Sequence, residues 1–169
     1  FFGAATVAWL PKEVVRPLVL WLLVAVAVYT WMKPDFGRQT RAPRVPPRQL
    51  LAASVLAGAL LGFYDGFFGP GAGSFMIFAF VRLFGMDFLH ASATAKIVNA
   101  ATNAGALLLF APQGHVLWML GLGMAVCNIA GAQLGSRLAI KHGSGFVRKV
   151  FLAMTTLLIA KIGWDTLLA

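Results

Sequence analysis

The sequence predicts an all-α, polytopic transmembrane helical bundle with a glycine-rich broken or re-entrant helix hairpin. Three observations lead there. The 169 residues are 60% hydrophobic and only 11% charged, with a mean hydropathy of +0.82, far outside the range of a soluble domain. Several apolar runs approach the roughly 17 to 25 residues that a helix needs to cross about 30 Å of hydrocarbon. Finally, residues 62–75, GFYDGFFGPGAGSF, place five glycines and a proline inside such a run, where helix breakers and a lone carboxylate are both costly. The runs are continuously apolar rather than alternating, which argues against a β-barrel.

Taken in order, residues 1–10 read as the end of one span, closed by a turn at Pro11, Lys12 and Glu13. Val14–Trp31 is a full span with Tyr29 and Trp31 as interfacial anchors. Residues 33–49, rich in Pro and Arg, form an exposed irregular linker. Leu50–Phe68 is apolar until GPGAG breaks it, and Ser74–Phe84 resumes for 11 residues, about 16 Å of helix, half a bilayer. Ala91–Phe110, Val116–Leu138 and Phe146–Leu168 are three further spans, the last two joined by a basic loop from Arg137 to Lys149. With no initiator Met and an apolar start, the chain is expected to begin partway through a larger protein.

The net charge of +9 is concentrated. Lys33, Arg38, Arg41, Arg44 and Arg48 occupy one connection and Arg137, Lys141, Arg148 and Lys149 another, nine of the 14 basic residues. That pattern orients a membrane protein rather than binding nucleic acid. If both basic connections are cytoplasmic, residues 50–84 must start and end on the cytoplasmic side, hence a hairpin with GPGAG at its deep tip. Irregular backbone at membrane depth requires a protein-lined or watery surround.

The second arm of that hairpin begins near Gly69, Gly71, Gly73 and Ser74, whose amides would form a helix N-terminus suited to an anion. Close helix packing through small residues is the alternative. Asp65 could relay protons, coordinate a coupling cation, or tie the tip through backbone or Tyr64 hydrogen bonds. The helix from residue 91 carries Ser92, Lys96, Asn99 and Asn103 at i, i+4, i+7 and i+11, on one face; Lys96 either snorkels to the interface or faces a solute. Arg82 reads as a topology charge. Gly131 and Gly135, beside Asn128, form a small-xxx-small packing seam, and Cys127 reads as a buried structural thiol. His90, His115 and His142 are too scattered for a metal site and read as interface residues. No nucleophile elbow, phosphate loop or metalloprotease motif is present, so an enzyme is not expected, nor a cofactor.

GFYDGFFGPGAGSF and the following RLFGMDFLHASATAKIVNAATN resemble the sulfite exporter TauE/SafE (TSUP) family of membrane permeases, in its second half. The resemblance implies two tandem four-helix repeats. Residues 1–32 would then be the end of one helix and the next helix of the first repeat, 33–49 a cytoplasmic linker, and 50–169 the second repeat with broken helix 50–84. It further implies export of small sulfur-containing anions such as sulfite or organosulfonates across the bacterial inner membrane by alternating access, with membrane lipids as surroundings and a homo-oligomer as a possible state. By that implication Gly69, Gly71, Gly73 and Ser74 supply donors, Lys96 a counter-charge and Asn99 and Asn103 neutral donors. The rival readings are a non-transporting membrane scaffold and a cation-coupled carrier of an unrelated solute.

Overall fold

The computed structural model describes residues 12–67, 69, 71–114 and 116–167. The span end expected in residues 1–10, the turn expected at Pro11, and Pro70 and His115 lie outside them. Among the described residues five α-helices follow one another: α1 Lys12–Met32, α2 Leu50–Phe67, α3 Ala72–Phe84, α4 Phe88–Phe110 and α5 Trp118–Leu167, with a 3-10 turn at Pro47–Gln49 leading into α2. Lys12 and Glu13 are helical rather than in a turn, and Pro17 lies inside α1.

The shortest long-range helix is the most enclosed. In α3, Ala72, Met76 and Phe80 recur every four residues and are buried with Val81, the spacing that lines one helical face. Around Met76 and Phe80 gather Val26 of α1, Phe88, Ala91 and Ala95 of α4, and Val147 and Phe151 of α5. A second cluster joins Val19 and Leu23 of α1 to Ile162 of α5, with Tyr64 and Phe75 packed on it. Burial of this kind contributes roughly 25 cal/mol per Å² of apolar surface.

One end of the bundle is stitched by polar contacts. α3 stops at Gly85, whose left-handed backbone lets its amide turn back to the Phe80 carbonyl. The linker then covers this corner: the amides of Arg41 and Arg44 donate to the carbonyls of Gly85 (2.7 Å) and Leu83 (3.0 Å), and the Phe88 amide donates to Gly37 (2.8 Å). Carbonyls in the last turn of a helix lack intrahelical donors, so a linker that reads as an exposed connection is pinned. Phe36 anchors it by edge-to-face contact with Tyr29 at 5.2 Å and Phe88 at 6.0 Å. Arg148 reaches back from α5 to donate to the Thr30 carbonyl at 2.6 Å, neutralising the C-terminal end of α1, which has no basic residue in its own last turn. Arg82 lies 5.8 Å over the Tyr29 ring. The linker that meets the end of α3 also leads into α2, so α2 and α3 form the expected hairpin.

The connection between the last two apolar runs differs from expectation. Residues 137–149 are not a loop: the chain stays helical through them except at Gly143 (φ 70°, ψ −169°), where two helical arms meet at an elbow. A single residue with that backbone, accessible to glycine at little cost, is enough to redirect the chain. The first arm then leaves the bundle, and every residue from 117 to 135 is exposed. Cys127 is accordingly exposed, not buried. Gly131 and Gly135 have open space beyond them, so the expected packing seam has no partner among the described residues.

Large apolar side chains are exposed along every helix, among them Trp21 (73%), Leu51 (78%), Ile97 (72%) and Met119 (90%). Contiguous apolar surface on this scale calls for lipid or further protein around it. By length and composition the stretch Pro47–Gly66 could cross a bilayer, and Pro17–Met32 and Ala72–Phe84 are shorter apolar helices.

Candidate functional site at the hairpin break

The break between α2 and α3 is organised by Gly69 and Gly71, with φ of 77° and 83°. Left-handed backbone of this kind is unfavourable for residues with a Cβ, and at Gly71 a Cβ would also stand 3.1 Å from the Leu23 side chain. Gly71 thus lets the chain reverse while α1 packs tightly against the turn. The Ala72 amide donates to the Gly69 carbonyl at 3.0 Å, so one donor of the first turn is engaged within the turn itself.

Polar groups from three elements meet the start of α3. From α4, the Asn99 amide nitrogen lies 3.5 Å from where a Gly73 Cβ would be, in ordinary van der Waals reach. The Asn99 Oδ1 is buried with no hydrogen-bond partner among the described residues, a condition that costs about 1 to 3 kcal/mol unless a solute or water meets it. From α5, the Thr155 hydroxyl, fully buried, is 3.4 Å from that of Ser74. From α2, Asp65 accepts a hydrogen bond from the Thr102 hydroxyl of α4, one turn beyond Asn99. Tyr64 also sits beside the carboxylate.

Of the predicted residues, Gly69, Gly71, Gly73, Ser74 and Asn99 are therefore brought together, and Asp65 stands just behind them. Lys96 and Asn103 are exposed on α4. The reason is angular. The buried side of α4 is defined by Phe88, Ala91 and Ala95, and at 100° per residue Asn99 falls nearest that side while Lys96 and Asn103 fall further round.

Three polar residues escape a reading by pattern. Thr102 and Thr155 look like ordinary helix residues, and only the approach of α2 and α3 gives them partners. Asp87 carried a signal, an acid three residues before His90 at the start of an apolar run. It caps α4, accepting from the His90 amide (3.0 Å), the His90 ring Nδ1 (2.7 Å), Thr40 of the linker (2.9 Å) and Ser144 at the elbow (2.9 Å). Burial pushes this carboxyl up, but the His90, Ser144 and Thr40 hydrogen bonds outweigh it and hold the pKa down at about 2. Asp87 thus ties linker, α4 and elbow into one corner, at the opposite end of α3 from the break.

Comparison with known proteins agrees with this architecture. A family profile described as sulfite exporter TauE/SafE matches residues 1–162. The chain is 37% identical over 164 residues to the probable membrane transporter protein YfcA of Escherichia coli K12, covering 97% of this chain and 60% of that protein. It is 36% identical over 160 residues to a probable membrane transporter protein of Sinorhizobium, covering 95% and 60%. A probable membrane transporter protein of Haemophilus influenzae is 32% identical over 163 residues, covering 96% and 63%. No solved structure matches. The chain spans about three fifths of the length of the curated relatives it matches.

Among the described residues the fold is an all-helical bundle with apolar outer faces, and nearly the whole chain is similar to proteins named as probable membrane transporters. The chain belongs to the sulfite exporter TauE/SafE family.

Proposed function

We propose that the protein exports a small sulfur-containing anion, sulfite or an organosulfonate, by alternating access, and that the anion binds between the hairpin break and the Asn99 face of α4. The observation that carries this reading is the placement of Asn99 against Gly73, with a buried, unpartnered oxygen beside the first turn of a helix. A helix N-terminus and an amide nitrogen attract an oxyanion, and the amide oxygen suits the hydroxyl of a singly protonated one such as bisulfite. Ser74 adds a hydroxyl, and the exposed Lys96 ammonium, less than one turn from Asn99, attracts the anion to this face. Asn103, one turn further on, extends the polar track. In this reading residues 50–169 are one repeat, the greater length of the relatives supplies another, and the basic connections face the cytoplasm across a bacterial inner membrane.

The test is flux. The full-length protein is reconstituted into proteoliposomes and the movement of sulfite and sulfoacetate is measured. Saturable transport that falls at least about tenfold in Asn99→Ala and Lys96→Ala supports the assignment; unchanged transport in both removes it. A cation-coupled carrier using Asp65 is the second reading, and the Asp65–Thr102 hydrogen bond favours a structural role for that carboxylate instead.

A further inference from the structure

The elbow of α5 carries a second polar feature, remote from the hairpin break and unrelated to the exported anion. Arg38 of the linker and His142, Gly145, Phe146, Arg148 and Lys149 of α5 line one open pocket. Its charge is almost wholly positive. Asp35 meets Arg38 at 3.9 Å with both side chains largely exposed, a surface pair of little strength. Asp87, which touches Ser144 next to the pocket, already accepts from Thr40, His90 and Ser144. Three cations, Arg38, Arg148 and Lys149, are thus held together with weak compensation, a costly arrangement in the absence of an anion.

The pocket wall indicates what kind of anion. The His142 Nδ1 donates to the Leu138 carbonyl at 3.0 Å, which leaves Nε2 on the other edge of the ring. The ring packs 5.1 Å from Phe146. Arg148 spends one amino group on the Thr30 and Lys33 carbonyls, while its Nε is buried without a partner. One turn beyond Phe146 on the second arm, Val150 is 39% exposed. A basic pocket at the end of a bundle whose outer faces are apolar, with the exposed Val150 one turn beyond its Phe146 wall, matches an amphiphile with an anionic head better than a free ion.

We propose that this pocket holds the phosphate group of an anionic phospholipid, its acyl chains lying along the apolar outer face of the second arm from Val150 onward. Bound there, the lipid would bridge the linker and both arms of α5, fastening the elbow at Gly143.

Arg38 and Lys149 are exposed and can be replaced without removing the Arg148 contacts to α1. The experiment places full-length protein in nanodiscs of phosphatidylcholine containing about one fifth phosphatidylglycerol and counts the lipids retained after detergent extraction by native mass spectrometry. Wild type is expected to retain phosphatidylglycerol selectively, and the R38Q/K149Q variant to lose that retention by about tenfold. A control with the same change of charge elsewhere, R48Q/K161Q, is expected to match wild type. Retention unchanged in R38Q/K149Q, or lost equally in the control, overturns the site. Displacement of the lipid by millimolar inorganic phosphate overturns the lipid as its occupant, whereas resistance to phosphate supports it.

Discussion

The Thr102 hydroxyl of α4 donates a hydrogen bond to the Asp65 carboxylate near the end of α2, and so fixes the first arm of the hairpin to the helix that carries Asn99. Substituting Thr102→Val leaves the carboxylate without this partner and is expected to cost about 1 to 3 kcal/mol. Asp65→Asn keeps an acceptor for the same hydroxyl and is expected to cost less. Thermal unfolding of the purified variants in detergent checks the order; equal stability of both would show that the bond contributes nothing.

Gly71 and Gly73 separate backbone strain from site chemistry. Gly71→Ala forces a Cβ into left-handed backbone and toward Leu23 at 3.1 Å, with an expected loss of about 1 to 3 kcal/mol. Gly73→Ala meets only ordinary contact, 3.5 Å from the Asn99 amide, and should fold normally while filling the space assigned to the anion. Melting temperature and sulfite flux measured side by side should therefore fall for different variants. Normal flux in Gly73→Ala would count against binding at that point.

Asn99→Ala removes a buried oxygen that has no partner. Because no hydrogen bond of that oxygen is lost and a desolvated acceptor is removed, stability is expected to change by less than about 1 kcal/mol. Transport should nevertheless fall. A large loss of stability instead would mean that Asn99 serves packing.

Asp87 makes stability pH-dependent in a definite direction. Its folded pKa, about 2, lies below the roughly 3.9 of an unfolded Asp. A depressed carboxyl stabilises fully above the unfolded value, and that contribution is lost as pH falls from about 4 through about 2. Asp87→Asn is expected to be about 1 to 3 kcal/mol less stable near neutrality. Its gap from wild type should close across that acid window. A constant gap down to pH 2 would assign the effect to something other than ionisation.

Much of the helical order is legible without coordinates, because hydropathy and chain breakers act locally. Apolar runs recur along the chain, and Gly71 and Gly85 sit where α3 begins and ends. Charge placement also yields the hairpin, since the linker and the end of α3 must share a side, as their hydrogen bonds show. The α5 elbow was less legible. A basic stretch with glycines reads as a loop, yet only Gly143 leaves helical geometry, as Lys and Arg are good helix formers. Cys127 and the Gly131–Gly135 pair were expected inside because their neighbours are apolar, but apolar character does not specify a partner within the same chain.

The amino-acid order by itself determined an oily helical chain, its interruption at residues 69–71 and a polar row along α4, since each depends on near neighbours and on periodicity. Tertiary structure alone decided which members of that row meet the break. It turned Asn99 toward Gly73 and left Lys96 and Asn103 outside, gave Asp65 to Thr102 and Ser74 to Thr155, and drew Asp87 into a corner with Thr40 and Ser144. These pairings join residues 37 to 81 positions apart in sequence for the two at the break, and such contacts depend on how helices rotate and cross. Rotation is set by the packing of buried side chains, information that a local pattern does not contain.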